Sequence, residues 1–223
     1  MLFTVDLRKL AEINLHLMIA DRWDLLPKEL LLYLENEIGS KPREDPVSVV
    51  FALIKLGVPP EKAIALLDWR KFEELCVRGF QMAGMQAVPR IRFFLRGKRY
   101  EIDVLGVCGN LIVIADCKMW SRGRYPKVYK IIEAADAQLN RVKAFVHAIQ
   151  LNEVSILEKV EGSSTVVPLL ITWLDVGQRI SKKGVAIVPI YMLPRFLGEI
   201  PHLLDELAHV TISYGIKLRE KST

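Results

Sequence analysis

Residues 101–118, EIDVLGVCGNLIVIADCK, constrain the fold more than any other stretch of the chain. Two apolar runs flank Gly109-Asn110, a two-residue turn signal of the kind that joins antiparallel strands. Both runs carry charge inside what should be an apolar ladder: Glu101 and Asp103 before the turn, Asp116 and Lys118 after it. A two-residue turn pairs Cys108 with Leu111, and that register sets Asp103 opposite Asp116 and Glu101 opposite Lys118. Opposed residues share a face, with Cβ atoms about 4.5–5.5 Å apart, so all four charges are expected in one patch. A longer turn would shift the pairing but leave the alternation within each strand intact.

Like charges opposed in a half-buried patch are destabilising and need compensation. One reading is structural: Lys118 neutralises Asp116 as an ion pair in an otherwise ordinary α/β protein. The other is a divalent cation, since Mg²⁺ or Mn²⁺ takes hard oxygens from one or two carboxylates together with phosphate oxygens.

The rest of the chain gives this hairpin a setting. The first 68 residues read as helical: Asp6 caps an apolar period at Leu7, Leu10, Ile13 and Leu17, and "LPKELLLYLENEIG" stops at Gly39. Asp45 and Pro46 then open "VSVVFALIKL", and a short helix follows Pro59. From Asp68 an amphipathic helix, "DWRKFEELCVRGFQMAG", is expected to bury Trp69, Phe72, Leu75, Cys76, Phe80 and Ala83, with Glu73 at the edge of that face. "RIRFFL", a turn around "RGK", and "RYEIDVLGV" make a hairpin, and "LIVIADCKMW" adds the third strand. A long helix from Pro126 to about Ile149 buries Ile131, Ala135, Leu139, Val142, Phe145 and Val146. "STVVPLLITWL" and "GVAIVPIYML" read as central strands, and "IPHLLDELA" as a final helix. The expected class is α/β, with a helical subdomain over 1–68 and the sheet-bearing domain over 69–223.

A strand Asp followed by acid-x-Lys on the next strand resembles the PD-(D/E)xK nuclease superfamily. "WRKFEELCVRGF" is similar to the opening helix of its Mrr-like branch. The resemblance covers about residues 69–200 and implies a restriction-endonuclease-like mixed sheet flanked by helices. It maps the catalytic set onto Glu73, Asp103, Asp116 and Lys118. It implies a Mg²⁺ or Mn²⁺ held by Asp103, Asp116, the backbone carbonyl of Cys117, and Glu73, with Lys118 orienting a water for phosphodiester hydrolysis that leaves a 5′-phosphate. Ile102 stands where the pattern has Pro, and Asp116 where it has Glu. Glu101 is a substitute ligand, and Gln138 and Trp120 are accessory candidates near the site.

Charge agrees with an anionic partner. The chain has 31 basic and 26 acidic residues; the first 68 residues hold 8 and 11 of them, the remainder 23 and 15. The positive field therefore belongs to the second part. Arg96, Lys98 and Arg99 at the hairpin, and Arg122, Arg124 and Lys127 after the acid-x-Lys strand, are the expected phosphate contacts. DNA is the expected partner, with RNA as an open alternative. No base-reading motif and no GxxxxGK[ST] loop is present, so an ATP-driven motor is excluded from this chain. Three cysteines without CxxC spacing argue for a reducing, cytoplasmic compartment. No run approaches 18 apolar residues and the start lacks signal-peptide features, so neither a membrane span nor secretion is expected. The acidic N-terminal helices suit homodimerisation or substrate placement. Against the nuclease reading stands a catalytically silent nuclease fold that serves as a nucleic-acid-binding or scaffold subunit.

Overall fold

The computed structural model describes residues 6–39, 41–120, 126–154 and 157–218. The chain divides into two compact units, Met1–Leu75 and Cys76–Thr223. The border expected after Asp68 lies at the head of a helix, and the division falls inside that helix. No helix among the described residues is long and apolar enough to cross a membrane.

In the first unit, α1 (Leu7–Ile19), α2 (Lys28–Ile38), α3 (Pro46–Lys55) and α4 (Pro60–Ile64) follow one another, with a 3₁₀ turn at Trp23–Leu25. Their ends obey local rules. The Asp6 carboxylate accepts from the Lys9 N–H, the Asp45 carboxylate from the Ser48 N–H, and Gly39 closes α2 at φ +70°. Leu15, Met18, Leu30, Leu34, Val50 and Leu53 are buried. Next comes α5 (Trp69–Met82), which spans the border, and Asp68 accepts from the Lys71 N–H at its start. Trp69, expected on the buried face, is instead 55% exposed, with the Arg70 guanidinium over its ring at 5.3 Å. A residue in the first turn of a helix has no preceding turn to cover it.

The second unit holds β1 (Gln86–Leu95), β2 (Lys98–Cys108), β3 (Leu111–Lys118), α6 (Val128–Gln150), β4 (Leu157–Val160), β5 (Ser164–Thr172), β6 (Ala186–Pro189), α7 (Leu193–Leu203), β7 (Val210–Ile212) and β8 (Gly215–Leu218). A six-stranded mixed sheet runs β1-β2-β3-β5-β6, with β7 added antiparallel to the first residues of β5. The first three strands are antiparallel; β3, β5 and β6 are parallel. A parallel pair needs a crossover, and α6 lies within the one joining β3 to β5. β4 and β8 form a separate antiparallel pair.

Helices cover both faces. The stripe expected on α6, Ile131 through Val146, is buried, and Phe145 meets Phe93 of β1 edge to face at 5.3 Å. Leu105 and Val107 join that cluster. Gly106 between them therefore faces the other way, where Phe80 of α5 lies so close that an added Cβ would come within 2.2 Å of its ring. Gly79 of α5 likewise sits against Leu193 of α7.

One expected strand is shorter than its apolar run. Of "GVAIVPIYML" only Ala186–Pro189 is paired; Ile190–Met192 is a 3₁₀ turn and α7 begins at Leu193. Pro189 has no N–H to extend the ladder, and Pro194 at the start of α7 favours a helix. The final helix accordingly begins earlier than expected and ends at Leu203.

Candidate active site

The β2–β3 register is the one the two-residue turn dictates, from Cys108↔Leu111 to Val104↔Ala115. There it stops. Asp103 and Asp116 are not a ladder pair, nor are Glu101 and Lys118, which corrects the expected opposition. On its other side β2 pairs Val104 with Pro89 and Ile102 with Ile91, and the position between, Asp103 with Arg90, is skipped. Arg90 has φ +52°, left-handed backbone that costs a non-glycine residue about 1–2 kcal/mol. Strain of this kind persists only where surrounding structure imposes it, and it gathers at functional sites.

Alternation fails at the same place, contrary to expectation. Ile102, Leu105 and Val107 pack in one cluster although Ile102 and Leu105 are an odd number of residues apart, so the strand slips phase across Asp103 and Val104. The Asp103 carboxylate takes the position of a ladder acceptor: its Oδ2 receives the Cys117 N–H at 2.7 Å.

Asp116 is 4% exposed and held by two cations. Lys118 Nζ lies 2.8 Å from its Oδ2, and Arg141 Nη1 lies 2.8 Å from its Oδ1. Arg141, on α6, also donates to Gln138 Oε1. Gln138 has no exposure, and its Nε2–H donates 2.8 Å to the carbonyl of Ile114 on β3. Gln138 is thus the buried tie between α6 and the acid-x-Lys strand, and Arg141 is a site residue that sequence reasoning missed. The available signal was its spacing, three residues after Gln138, which brings both to neighbouring positions on the helix surface.

Asp103 and Asp116 line one cleft of about 560 Å³ together with Lys98, Arg99, Tyr100, Glu101, Ala137, Asn140 and Arg141. Glu101 pairs across the β1–β2 ladder with Arg92 at 2.9 Å, and with Arg99 at 3.9 Å. Tyr100 is stacked on Phe93 at 5.1 Å with Lys98 over its ring. Cys117 turns its thiol to that of Cys76; this hydrogen bond first, then burial and the charges of Asp103 and Asp116, push the thiol pKa well above its usual range. All three cysteines are free.

The other expected residues fall as follows. Arg96, Lys98 and Arg99 are exposed at the β1–β2 turn, where Arg96 and Gly97 have φ +51° and +76°. Lys127 is exposed at the N-cap of α6. Arg122 and Arg124 lie outside the described residues. Trp120 packs on the rim of the cluster formed by Ile131, Ala135, Leu139, Leu170, Val185 and Ile187. Glu73 belongs to the first unit, half-buried on α5.

Among the described residues, no three His, Cys, Asp or Glu side chains stand together as a ready metal site. Three carboxylates line the cleft, Glu101, Asp103 and Asp116, and Mg²⁺ takes one or two from protein when phosphate and water oxygens complete its shell. The carboxylates are hard donors of the kind such a cation takes, and at Asp116 it would compete with Lys118 and Arg141. No family model matches the chain, and no curated protein does.

Proposed function

We propose that this chain is a metal-dependent nuclease of the PD-(D/E)xK type, with a restriction-endonuclease-like fold in its second unit, acting on DNA. One observation carries the reading: the ladders on both sides of β2 break at Asp103, and the break brings Asp103 and Asp116 to one cleft, with Lys118 on Asp116 and the cationic Lys98, Arg99 and Arg141 in its walls.

Asp103, Asp116 and the Cys117 carbonyl would hold Mg²⁺ or Mn²⁺. When bound, the ion supplies Lewis acidity towards the scissile phosphate and lowers the pKa of a water. Lys118 orients the attacking water and offsets the charge that builds on the phosphate oxygens. Lys98 and Arg99 receive neighbouring phosphates, where they position rather than specify. Glu73 enters by resemblance alone. The acidic helical unit is assigned to partner contact or substrate placement, because its charge opposes a polyanion.

The engagement of both Asp116 oxygens by cations favours a second reading, a silent nuclease fold that binds nucleic acid without cutting it. One experiment separates the two. Wild type, Asp116→Ala and Lys118→Ala are incubated with linear, circular, single-stranded and branched DNA and with RNA, under Mg²⁺, Mn²⁺ or EDTA. Cleavage that needs the ion and is lost in both variants is the expected result. Cleavage unchanged in either variant defeats the assignment, and binding in EDTA with no cleavage anywhere establishes the silent reading.

A further inference from the structure

We propose that Arg141 couples the cation and the nucleic-acid phosphate at this cleft: it holds Asp116 when no cation is bound, and is released to a phosphodiester group when a cation takes that carboxylate. The inference rests on the nuclease reading above and adds to it a residue, a substrate contact and an order of events.

Three observations carry it. The Asp116 side chain is 6% exposed, with one oxygen on Lys118 and the other on Arg141, so an entering cation competes with them for that carboxylate. Like charges crowded on one carboxylate repel, which makes that exchange competitive. Second, both hydrogen bonds of Arg141 among the described residues are made through Nη1. Its Nε and Nη2 remain as a planar pair of donors in the cleft wall, the fork that meets a phosphate with two bonds. Third, the cleft lining has three cations, Lys98, Arg99 and Arg141, against three carboxylates, Glu101, Asp103 and Asp116. Lys118 on Asp116 and Arg92 on Glu101 add to the cations around it. An added cation raises the positive balance further and leaves the Arg141 fork free to bind a phosphate. Because linkage is reciprocal, the phosphate must tighten the cation as much as the cation tightens the phosphate.

The test is Mn²⁺ binding to the full chain, read by electron paramagnetic resonance, with and without a phosphorothioate-linked DNA oligonucleotide that resists cleavage. In wild type the oligonucleotide is expected to tighten Mn²⁺ within the roughly 5- to 150-fold range of binding couplings. Arg141→Gln keeps a donor for Asp116 but not the charge. It should bind Mn²⁺ alone at least about fivefold more tightly than wild type and show little further gain from the oligonucleotide. Equal Mn²⁺ affinity in Arg141→Gln and wild type, or wild-type coupling in Arg141→Gln, overturns the inference and leaves the nuclease reading standing. No Mn²⁺ bound by wild type under either condition overturns both. Should Arg141→Gln not fold by circular dichroism, Arg141→Lys decides, since it keeps the charge on Asp116 and loses the fork. Weakened coupling in Arg141→Lys then supports the inference, and wild-type coupling defeats it.

Discussion

Gln138 ties α6 to β3 with a side chain that has no exposure, donating to the Ile114 carbonyl and accepting from Arg141. Ile114 itself is fully buried on β3. A carbonyl in such a place needs a donor, and a buried one left without costs about 1–3 kcal/mol. Gln138→Leu is therefore expected to lower stability by about that amount in urea unfolding, although leucine suits both a helix and a core. A substitution that proves neutral would mean the carbonyl finds another partner. In the sequence Gln138 reads equally well as a solvated helix residue, because its burial depends on which strand α6 crosses. Arg141 was hard to read for a related reason: its spacing sets it beside Gln138 on the helix, but nothing local says that it will meet Asp116. Asp103, Asp116 and Lys118 were legible because charge inside an apolar alternating run is anomalous without any tertiary knowledge.

At the scale of elements, the same strand pair contains two glycines needed for different reasons. Gly97, in the β1–β2 turn, has φ +76° and nothing within 4 Å of a would-be Cβ, so its need is conformational only. Gly97→Ala should cost about 1–2 kcal/mol, the penalty of left-handed backbone for an L-residue. Gly106 has ordinary backbone, but its would-be Cβ lands 2.2 Å from the fully buried Phe80 ring. Gly106→Ala should cost as much or more, about 1–3 kcal/mol as an overpacked core does. The two separate on rescue: Phe80→Leu introduced beside Gly106→Ala should recover part of the loss, and beside Gly97→Ala none. Equal behaviour of both pairs in chemical denaturation would refute the steric account. Elements were legible where a cap or a long period marks them, as with Asp6, Asp45 and the stripe of α6. They were not where three- or four-residue strands such as β4, β7 and β8 hold too few residues to show a period, or where Pro189 ends a strand inside an apolar run. The phase slip at Asp103 was invisible because the residues on both sides of it are buried, Ile102 before and Val104 to Val107 after.

At the scale of the molecule, charge is divided as the fold is. Arg70, Lys71, Glu73 and Glu74 cancel, so moving the border from residue 68 to residue 75 leaves the first unit at −3 and the second at +8. The proposed polyanion would thus meet the second unit, whose candidate cationic contacts among the described residues are Arg96, Lys98, Arg99, Lys127 and Arg141. Each phosphate neutralised releases condensed counterions and contributes about 0.9 to the slope of log affinity against log salt on duplex DNA. Five contacts give a slope near −4 to −5, a loss of several hundred-fold between about 50 and 200 mM salt. Lys98→Ala and Arg99→Ala should each lower that slope by about 1 and weaken binding alike across unrelated sequences, since phosphate contacts carry no base information. Fluorescence anisotropy of a labelled duplex over a salt series, in the presence of Ca²⁺, measures both quantities. A slope that ignores Lys98 and Arg99 but falls with Lys28→Ala or Lys41→Ala would move the nucleic acid to the first unit, against its net charge. The cleft of the second unit would then have to act on something other than the strand the protein grips.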